Sequence, residues 1–177
     1  MRQLNLDGDE QSDLIVHGGP DKAVYAYPSE HYSFWKEQLS GVDLPWGSFG
    51  ENLTTSGLLE DEVRIGDQLR LGSAEFVVTQ PRMPCFKLGI RFGNPAMIKR
   101  FLQARRPGFY LRVTKVGELG AGDSIELLAN ANDNITVVDI VDLYEAAEPD
   151  RELLHRATEL ASLPLGWRDH FLKLLSR

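Results

Sequence analysis

A change in the spacing of apolar residues, close to residue 132, sets the fold class of this 177-residue chain. Between residues 61 and 123, short apolar runs alternate with polar residues and are separated by turns that contain glycine or proline. A period of two is typical of half-buried β-strands, and several short strands at this spacing predict a β-barrel or sandwich. Beyond residue 132 the apolar residues recur at helical spacing. We therefore predict an α+β protein, mainly β, with a barrel-like domain over residues 1–132 and a three-helix domain over residues 133–177.

Individual segments carry the strand and helix predictions. Strands are predicted at residues 21–27, 75–79, 109–116 and 124–128. The pair Gly66-Asp67, flanked by alternating apolar residues, predicts a hairpin turn. We expect Pro28 to open a helix that contains Tyr32, and a second short helix to lie near residue 97.

Three amphipathic helices are predicted in the C-terminal region. The first has an apolar stripe that runs from Val137 to Tyr144. Asp150 is suited to cap the second helix, and Pro164 is suited to open the third. Short helices cannot each bury an apolar stripe alone, so we expect them to pack on one another or on the barrel.

Composition narrows the possible classes of function. The net charge of −7 and the pI of about 5.1 argue against binding of polymeric nucleic acid, which usually requires a basic face. No window approaches the roughly 18 apolar residues that span a bilayer, and the N-terminal segment lacks the apolar centre of a signal peptide. We therefore expect a soluble, cytoplasmic protein without membrane contact.

The single cysteine, Cys85, excludes an intrachain disulfide and any multi-cysteine zinc or iron–sulfur site.

The first segment with specific chemistry is His17-Gly18-Gly19-Pro20-Asp21-Lys22. Its imidazole and ammonium groups can donate hydrogen bonds to an anion, and its two glycines allow the backbone to approach a ligand closely. Backbone N–H groups in such a turn can form an anion-binding nest. An ordinary turn with an exposed histidine would explain the segment equally well.

A second segment, residues 47–55, contains Gly50-Glu51-Asn52. Gly50 permits a backbone conformation that other residues resist, while Glu51 and Asn52 offer acceptors and an amide that suit the edge of a heterocycle. On its own, this segment is explained better as a turn that leads into a strand.

The third segment is Gln80-Pro81-Arg82-Met83-Pro84-Cys85. Arg82 and Lys87 place positive charge close to the thiol, which favours the thiolate, and a thiolate is a soft ligand suited to a soft transition metal. Arg82 is equally suited to bind a phosphate through two hydrogen bonds. A lone cysteine is otherwise a small buried hydrophobe, but this context favours a functional thiol.

A cysteine hydrolase is a competing interpretation, and it requires a histidine beside the nucleophile. His155 and His170 fall on the predicted helical tail, and His31 falls on a helix that we expect at the surface. His17 is therefore the remaining candidate partner for Cys85. The sequence contains neither a P-loop nor a complete dinucleotide-binding fingerprint.

Taken together, these segments resemble the MOSC family, which is named after the C-terminal domain of molybdenum-cofactor sulfurase. The resembling motifs, in order, are residues 5–9, residues 17–24, Phe49-Gly50-Glu51-Asn52-Leu53, Pro81-Arg82-Met83-Pro84-Cys85, residues 108–113 and residues 120–123. The region from about residue 134 is similar to the small three-helix domain of bacterial members. The resemblance covers nearly the whole chain, and the order and spacing of the motifs make it specific.

The resemblance implies a β-barrel-like fold that binds the molybdenum cofactor (molybdopterin), a pterin dithiolene with a phosphate, rather than pyridoxal phosphate. It implies that Cys85 coordinates molybdenum. The residues then expected to contact the phosphate or the pterin are His17, Gly18, Gly19, Lys22, Asn52 and Arg82. It further implies reduction of small N-hydroxylated compounds, including N-hydroxylated bases, with electrons from a separate flavin or iron–sulfur reductase. We expect Glu51 either to supply a proton from a buried carboxyl or to hold its loop in place.

Two alternatives follow from the same residues. In the first, the chain is a non-catalytic carrier in which Cys85 would hold a persulfide or hand over the cofactor. In the second, the chain is a scaffold that has lost its site and would bind no cofactor.

Family members carry some tens of residues before the turn that begins here at Asp7, so we expect the first barrel strands to be missing. The helical tail is expected to cover the substrate, to dock a partner or to form a homodimer.

Overall fold

The computed structural model describes residues 18–131 and 135–176 of the chain. The strands are Val24–Pro28 (β1), Leu53–Thr55 (β2), Gln68–Leu71 (β3), Ala74–Pro81 (β4), Phe109–Lys115 (β5) and Ile125–Ala129 (β6). The helices are His31–Gln38 (α1), Phe86–Arg91 (α2), Met97–Gln103 (α3), Val137–Glu145 (α4), Arg151–Glu159 (α5) and Leu165–Leu175 (α6). A 3₁₀ turn, Pro20–Lys22, precedes β1.

The strands form a 6-stranded mixed sheet in the order β2-β1-β5-β4-β3-β6. β1 and β2 pair in parallel, whereas the other neighbouring strands are antiparallel. The pairing of β4 with β5 shifts register next to Phe76 and again between Val78 and Gln80, and such bulges bend and twist a sheet. The sheet curls into a half-barrel with β2 and β6 at its edges, which confirms the predicted mainly β, barrel-like class.

The sheet and the C-terminal helices share one apolar core. Phe76 and Leu111 from the sheet belong to the same buried cluster as Ile140, Leu154 and Phe171, which come from α4, α5 and α6. Each of these side chains is at most 1% exposed. The three helices therefore pack both on one another and on the sheet, as their amphipathic stripes predict.

Strand β1 separates this core from a second, aromatic cluster. Val24 and Ala26 face the shared core, whereas Tyr25 and Tyr27 face the rings of the second cluster. Trp35 belongs to that cluster, and its indole nitrogen donates a hydrogen bond of 2.7 Å to the Tyr27 hydroxyl. All residues of β1 are buried, because apolar side chains cover both faces of the strand.

The hairpin predicted at Gly66-Asp67 is wrong. The hairpin consists of β3 and β4, which are joined at Gly72-Ser73. Gly72 is required there because its φ of +57° is left-handed and because a side chain would collide with the Glu118 carbonyl. Ile65 is buried in the apolar cluster that also contains residues of the C-terminal helices, and its N–H donates to the Ile135 carbonyl just before α4.

The helix predictions agree with the structure in the C-terminal region and only in part elsewhere. Pro28 ends β1 instead of opening α1, which begins at His31. Thr136 caps α4, and Asp150 caps α5 by accepting a hydrogen bond of 2.9 Å from the Leu153 N–H. Pro164 immediately precedes α6, as predicted. Within the described ranges, none of the helices combines the length and the apolar composition that a membrane span requires.

His31 lies in the interior, so the expectation that it would be at the surface is wrong. The imidazole is 3% exposed, and its Nε2 atom lies 2.6 Å from the Glu60 carboxylate. Arg106 lies 3.0 Å from the other ring nitrogen, Nδ1. Because a guanidinium can only donate, Nδ1 accepts this bond and Nε2–H donates to Glu60. The first residue of α1 thus belongs to a buried polar network with Glu60 and Arg106.

Candidate functional site

Three separate parts of the chain line a cleft of about 710 Å³. They are the 3₁₀ turn with the glycines before it, the sheet residues that lead to α2, and one face of the C-terminal helices. The lining residues are Gly18, Gly19, Pro20, Asp21, Lys22, Gln80, Pro81, Met83, Pro84, Cys85, Tyr110, Tyr144, Pro164, Gly166, Trp167 and His170. This volume lies within the range of about 300–1,000 Å³ that is usual for small-molecule sites.

The glycine-rich segment is held firmly against the sheet. Gly19 has a φ of 95°, which lets the chain turn into the 3₁₀ turn. The carboxylate of Asp21 accepts a hydrogen bond of 2.6 Å from Arg112 Nε on β5. The carbonyl of Asp21 accepts a hydrogen bond of 2.7 Å from the Thr79 hydroxyl on β4. These bonds fix the backbone of the turn, with Lys22 also lining the cleft.

Cys85 lies immediately before α2, on a stiff segment of chain. Its backbone is extended, with φ −124° and ψ 179°, and the residue is partly exposed. Pro81 and Pro84 restrict the backbone that leads to it. The Leu88 N–H donates a hydrogen bond of 3.0 Å to the Cys85 carbonyl, which anchors the residue to the first turn of the helix. Cys85 is therefore accessible from the cleft and is not a buried core residue.

Arg82 is buried beside this cleft. Its guanidinium carbon lies 5.3 Å from the ring centroids of both Tyr25 and Phe101. It also hydrogen-bonds Tyr110; burial raises the pKa of Tyr110, although the charge of Arg82 opposes that rise. The Nη1 atom of Arg82 is buried and has no hydrogen-bond partner among the residues that the structure describes. A bound anion would satisfy this unpaired donor.

The C-terminal helices contribute an aromatic wall, made of Tyr144, Trp167 and His170, none of which was predicted as a site residue. The Tyr144 ring lies 5.5 Å from that of Trp167 and 5.2 Å from that of His170, measured between centroids. Trp167 Nε1 donates a hydrogen bond of 2.8 Å to Gln80 Oε1 on β4. In the sequence, Trp167 and His170 are one helical turn apart. This spacing indicates only that they share a helix face, not that they line a cleft.

Glu51 lies in a different part of the fold and holds its own loop together. Its carboxylate accepts hydrogen bonds from the backbone N–H groups of Gly47 and Phe49, at 2.9 and 3.1 Å. The hydroxyls of Tyr32 and Thr54 also donate to it. Glu51 acts here as a loop clamp, which is the second of its two predicted roles, and this arrangement gives no support to the first.

Asn52 lines a second, larger cleft of about 1210 Å³ between β2 and the segment that precedes β6. Its side-chain oxygen accepts a hydrogen bond of 2.8 Å from the Tyr25 N–H, and its own N–H donates to the Tyr25 carbonyl. Asn52 therefore attaches the loop to β1, and its predicted contact with a pterin stays a prediction.

The predicted site residues are thus only partly brought together. Gly18, Gly19, Lys22 and Cys85 line one cleft, although more than sixty positions separate the glycines from the cysteine. Arg82 is adjacent to that cleft, and Glu51 and Asn52 lie elsewhere. His17 lies outside the described residues. In residues 18–131 and 135–176, no group of three or more His, Cys, Asp or Glu side chains is placed to hold a metal ion.

Comparison with known proteins matches both parts of the chain. The model of the MOSC domain matches residues 13–126, and that of the YiiM-like 3-alpha helix domain matches residues 135–177. An uncharacterized protein of Bacillus subtilis, YflK, is 42% identical over 98% of this chain and 78% of its own. Protein YiiM of Escherichia coli is 36% identical over 94% of this chain and 75% of its own.

Two further similarities concern a structure and a longer protein. The crystal structure of YiiM from Escherichia coli has a TM-score of 0.87, with 30% identity, over 99% of this chain and 84% of that one. A protein of Gibberella moniliformis named reductase is 36% identical over 86% of this chain, which covers 28% of that protein.

Proposed function

The chain belongs to the MOSC domain family, and from this premise we propose that it is a molybdenum-cofactor-dependent reductase of N-hydroxylated compounds such as N-hydroxylated bases. One observation carries the proposal: the glycine-rich segment and Cys85, which are far apart in the sequence, line the same cleft. The reductase name of one relative agrees with this reaction type.

The donor set of the cleft suits the molybdenum cofactor. A dithiolene brings its own two sulfur ligands, so one accessible protein thiolate, from Cys85, would complete a soft ligand set. Lys22 and the backbone of Gly18 and Gly19 would hold the anionic phosphate, and the unpaired Nη1 of Arg82 is a further donor beside the cleft. When bound, the cofactor supplies a metal centre that can transfer two electrons and accept an oxygen atom.

The protein must also supply protons, because the reaction consumes two. Reduction of R–NH–OH to R–NH₂ takes two electrons and two protons, breaks the N–O bond and releases water. His170 lines the cleft, and an imidazole can both donate and accept a proton, so we assign it the role of proton donor in place of Glu51. We expect the electrons to come from a separate flavin or iron–sulfur reductase in the cytoplasm, because the sequence has no complete dinucleotide-binding fingerprint.

The first experiment is metal analysis of the protein produced in a host that makes the cofactor. We expect about one molybdenum atom per chain in the unmodified protein and a sharp fall in the Cys85→Ala variant. The matched control is Ile90→Ala, which changes a residue of α2 that is 71% exposed. Circular dichroism verifies that each variant is folded.

Reduction of an N-hydroxylated base by the loaded protein, with a chemical electron donor, is the second measurement. Molybdenum binding without turnover would identify a cofactor carrier instead of a reductase. Equal molybdenum content in the Cys85→Ala variant and the unmodified protein would refute the assigned role of the thiol.

A further inference from the structure

The aromatic wall of the cleft is built from two helices and is partly open. Its rings come from Tyr144 on α4 and from Trp167 and His170 on α6. Ring centroids 5.2 to 5.5 Å apart make these side chains one continuous surface. Large aromatic side chains usually lie in a core, so a contiguous set along a cleft suits a ligand with a ring of its own.

Tyr144 is much more exposed than the other residues of its helical stripe. Val137, Ile140 and Val141 in the same stripe are at most 1% exposed, whereas Tyr144 is 42% exposed. Its ring therefore adds little to the core and much to the cleft. Burial of that surface by a ligand would be favourable in proportion to its apolar area.

Trp167 is oriented by a hydrogen bond to the sheet. Its indole N–H donates to Gln80 Oε1, while Gln80 Nε2 donates to the Asp21 carbonyl at 3.4 Å. Because its N–H is already engaged, the indole offers a ligand its apolar ring surface. Gly166 leaves space beside it, since a side-chain carbon added there would meet no atom within 4 Å.

We propose that this wall is a substrate subsite for planar nitrogen heterocycles within the cleft that contains Cys85. The heterocycle stacks on the Tyr144 ring, and the Trp167 indole, tilted by 67° to that ring, contacts its edge. The inference rests on the proposed function and deepens it, because it separates ring-containing from ring-free N-hydroxylated substrates. Stacking on an aromatic side chain tolerates different bases, because every base has a π-face. The wall thus selects for a planar ring and leaves the identity of the base open.

The test compares two substrates on the loaded enzyme. N4-hydroxycytosine has a planar ring, whereas hydroxylamine has the same N–O bond without a ring. In the Tyr144→Leu variant we expect KM for N4-hydroxycytosine to rise about tenfold, with kcat nearly unchanged, and KM for hydroxylamine to stay the same. Tyr144→Phe retains the ring and is expected to restore the original KM.

A binding measurement separates this inference from the proposed reaction. Calorimetric titration with cytosine, the amine product, reports on the subsite without turnover, and Tyr144→Leu should weaken that binding about tenfold. Leu172→Ala is the matched control, because Leu172 is on α6, is 53% exposed and is not part of the cleft lining described above.

The outcomes are distinguishable. If the enzyme reduces both substrates and Tyr144→Leu leaves cytosine binding and both KM values unchanged, the subsite is wrong and the reductase stands. An equal rise of both KM values in Tyr144→Leu would also overturn the subsite. If cytosine binds in a Tyr144-dependent way but neither substrate is reduced, the subsite stands and the proposed reaction fails.

Discussion

The indole nitrogen of Trp167 on α6 donates a hydrogen bond of 2.8 Å to the side-chain oxygen of Gln80 on β4. Gln80 is 5% exposed, and its amide nitrogen donates to the carbonyl of Asp21. One buried side chain thereby joins the sheet, the 3₁₀ turn and the last helix around the cleft. The position of the aromatic wall relative to the rest of the cleft depends on this junction.

The Gln80–Trp167 junction should be measurable as a coupling energy. Gln80→Leu is expected to lower the free energy of unfolding by about 1–2 kcal/mol, because it leaves the indole N–H without its acceptor. With Trp167→Phe and the double variant, a thermodynamic cycle from urea denaturation should give a coupling of about 1 kcal/mol. Purely additive effects of the two substitutions would contradict the junction.

The buried network around His31 should make a large contribution to stability. Glu60 accepts from the imidazole at 2.6 Å and from the Gly108 N–H at 2.6 Å. Glu60→Ala removes both acceptors and leaves buried donors unpaired, so we expect a loss of about 3–5 kcal/mol in the free energy of unfolding. Chemical denaturation measures this loss.

The exposed Glu62→Ala change is the matched control for Glu60→Ala, and we expect it to alter stability by less than about 0.5 kcal/mol. A loss of similar size in both variants would show that the network does not have the stated role.

Glu75 should make stability depend on pH on the acidic side. A hydrogen bond from Lys115, aided by Arg70 and opposed by partial desolvation, lowers the pKa of Glu75 below its ordinary value of 4.5. A carboxyl whose pKa is lower in the folded state stabilises the fold above its unfolded pKa, and the contribution is lost as pH falls through the folded pKa. Glu75→Gln should therefore be less stable than the unmodified protein at pH 7 and equally stable well below pH 4.5.

Urea denaturation over a pH series checks the prediction for Glu75, and high salt should reduce the difference at neutral pH. A stability difference that persists unchanged in acid would exclude this pKa shift as its source.

His170 and Glu51 should differ in what their substitution changes. His170→Gln is expected to lower kcat for N-hydroxy reduction by about 10²-fold and to alter the pH–rate profile, while molybdenum content stays constant. Glu51→Gln is expected to lower stability by about 1–3 kcal/mol through its loop, with kcat per bound molybdenum unchanged. Loss of kcat in Glu51→Gln at full metal loading would return the proton-donor role to Glu51.

The sequence predicts those features that depend on short stretches of chain. The cap of α5 and the strands near Phe109 and Ile125 follow from neighbouring residues, so they are found at or close to the predicted positions. Helix α2 is only 6 residues long, too short to give a helical period, and it is not predicted.

The positions of isolated polar and aromatic residues depend on distant parts of the chain. His31 is buried because Glu60 and Arg106 come to it from loops far away in sequence. His170 enters the cleft because α6 docks on β4, and no local pattern on the helical tail indicates that contact. Cys85 was predicted as a site residue because the positive charge near it favours a functional thiol. The glycine-rich segment was assigned to the site through its resemblance to a MOSC motif, since a turn alone would explain it equally well.

Because the sheet and the three helices share a single core, the affinity for a ligand depends on the folding of the whole chain. A ligand that touches both sides of the cleft binds only the population in which α6 is docked, so its apparent affinity falls in proportion to that population. Substitution of Leu154, which is buried in the shared core and does not line the cleft, would then weaken binding without altering any lining residue. In return, a ligand held between the two sides raises the docked population and stabilises the entire chain against unfolding.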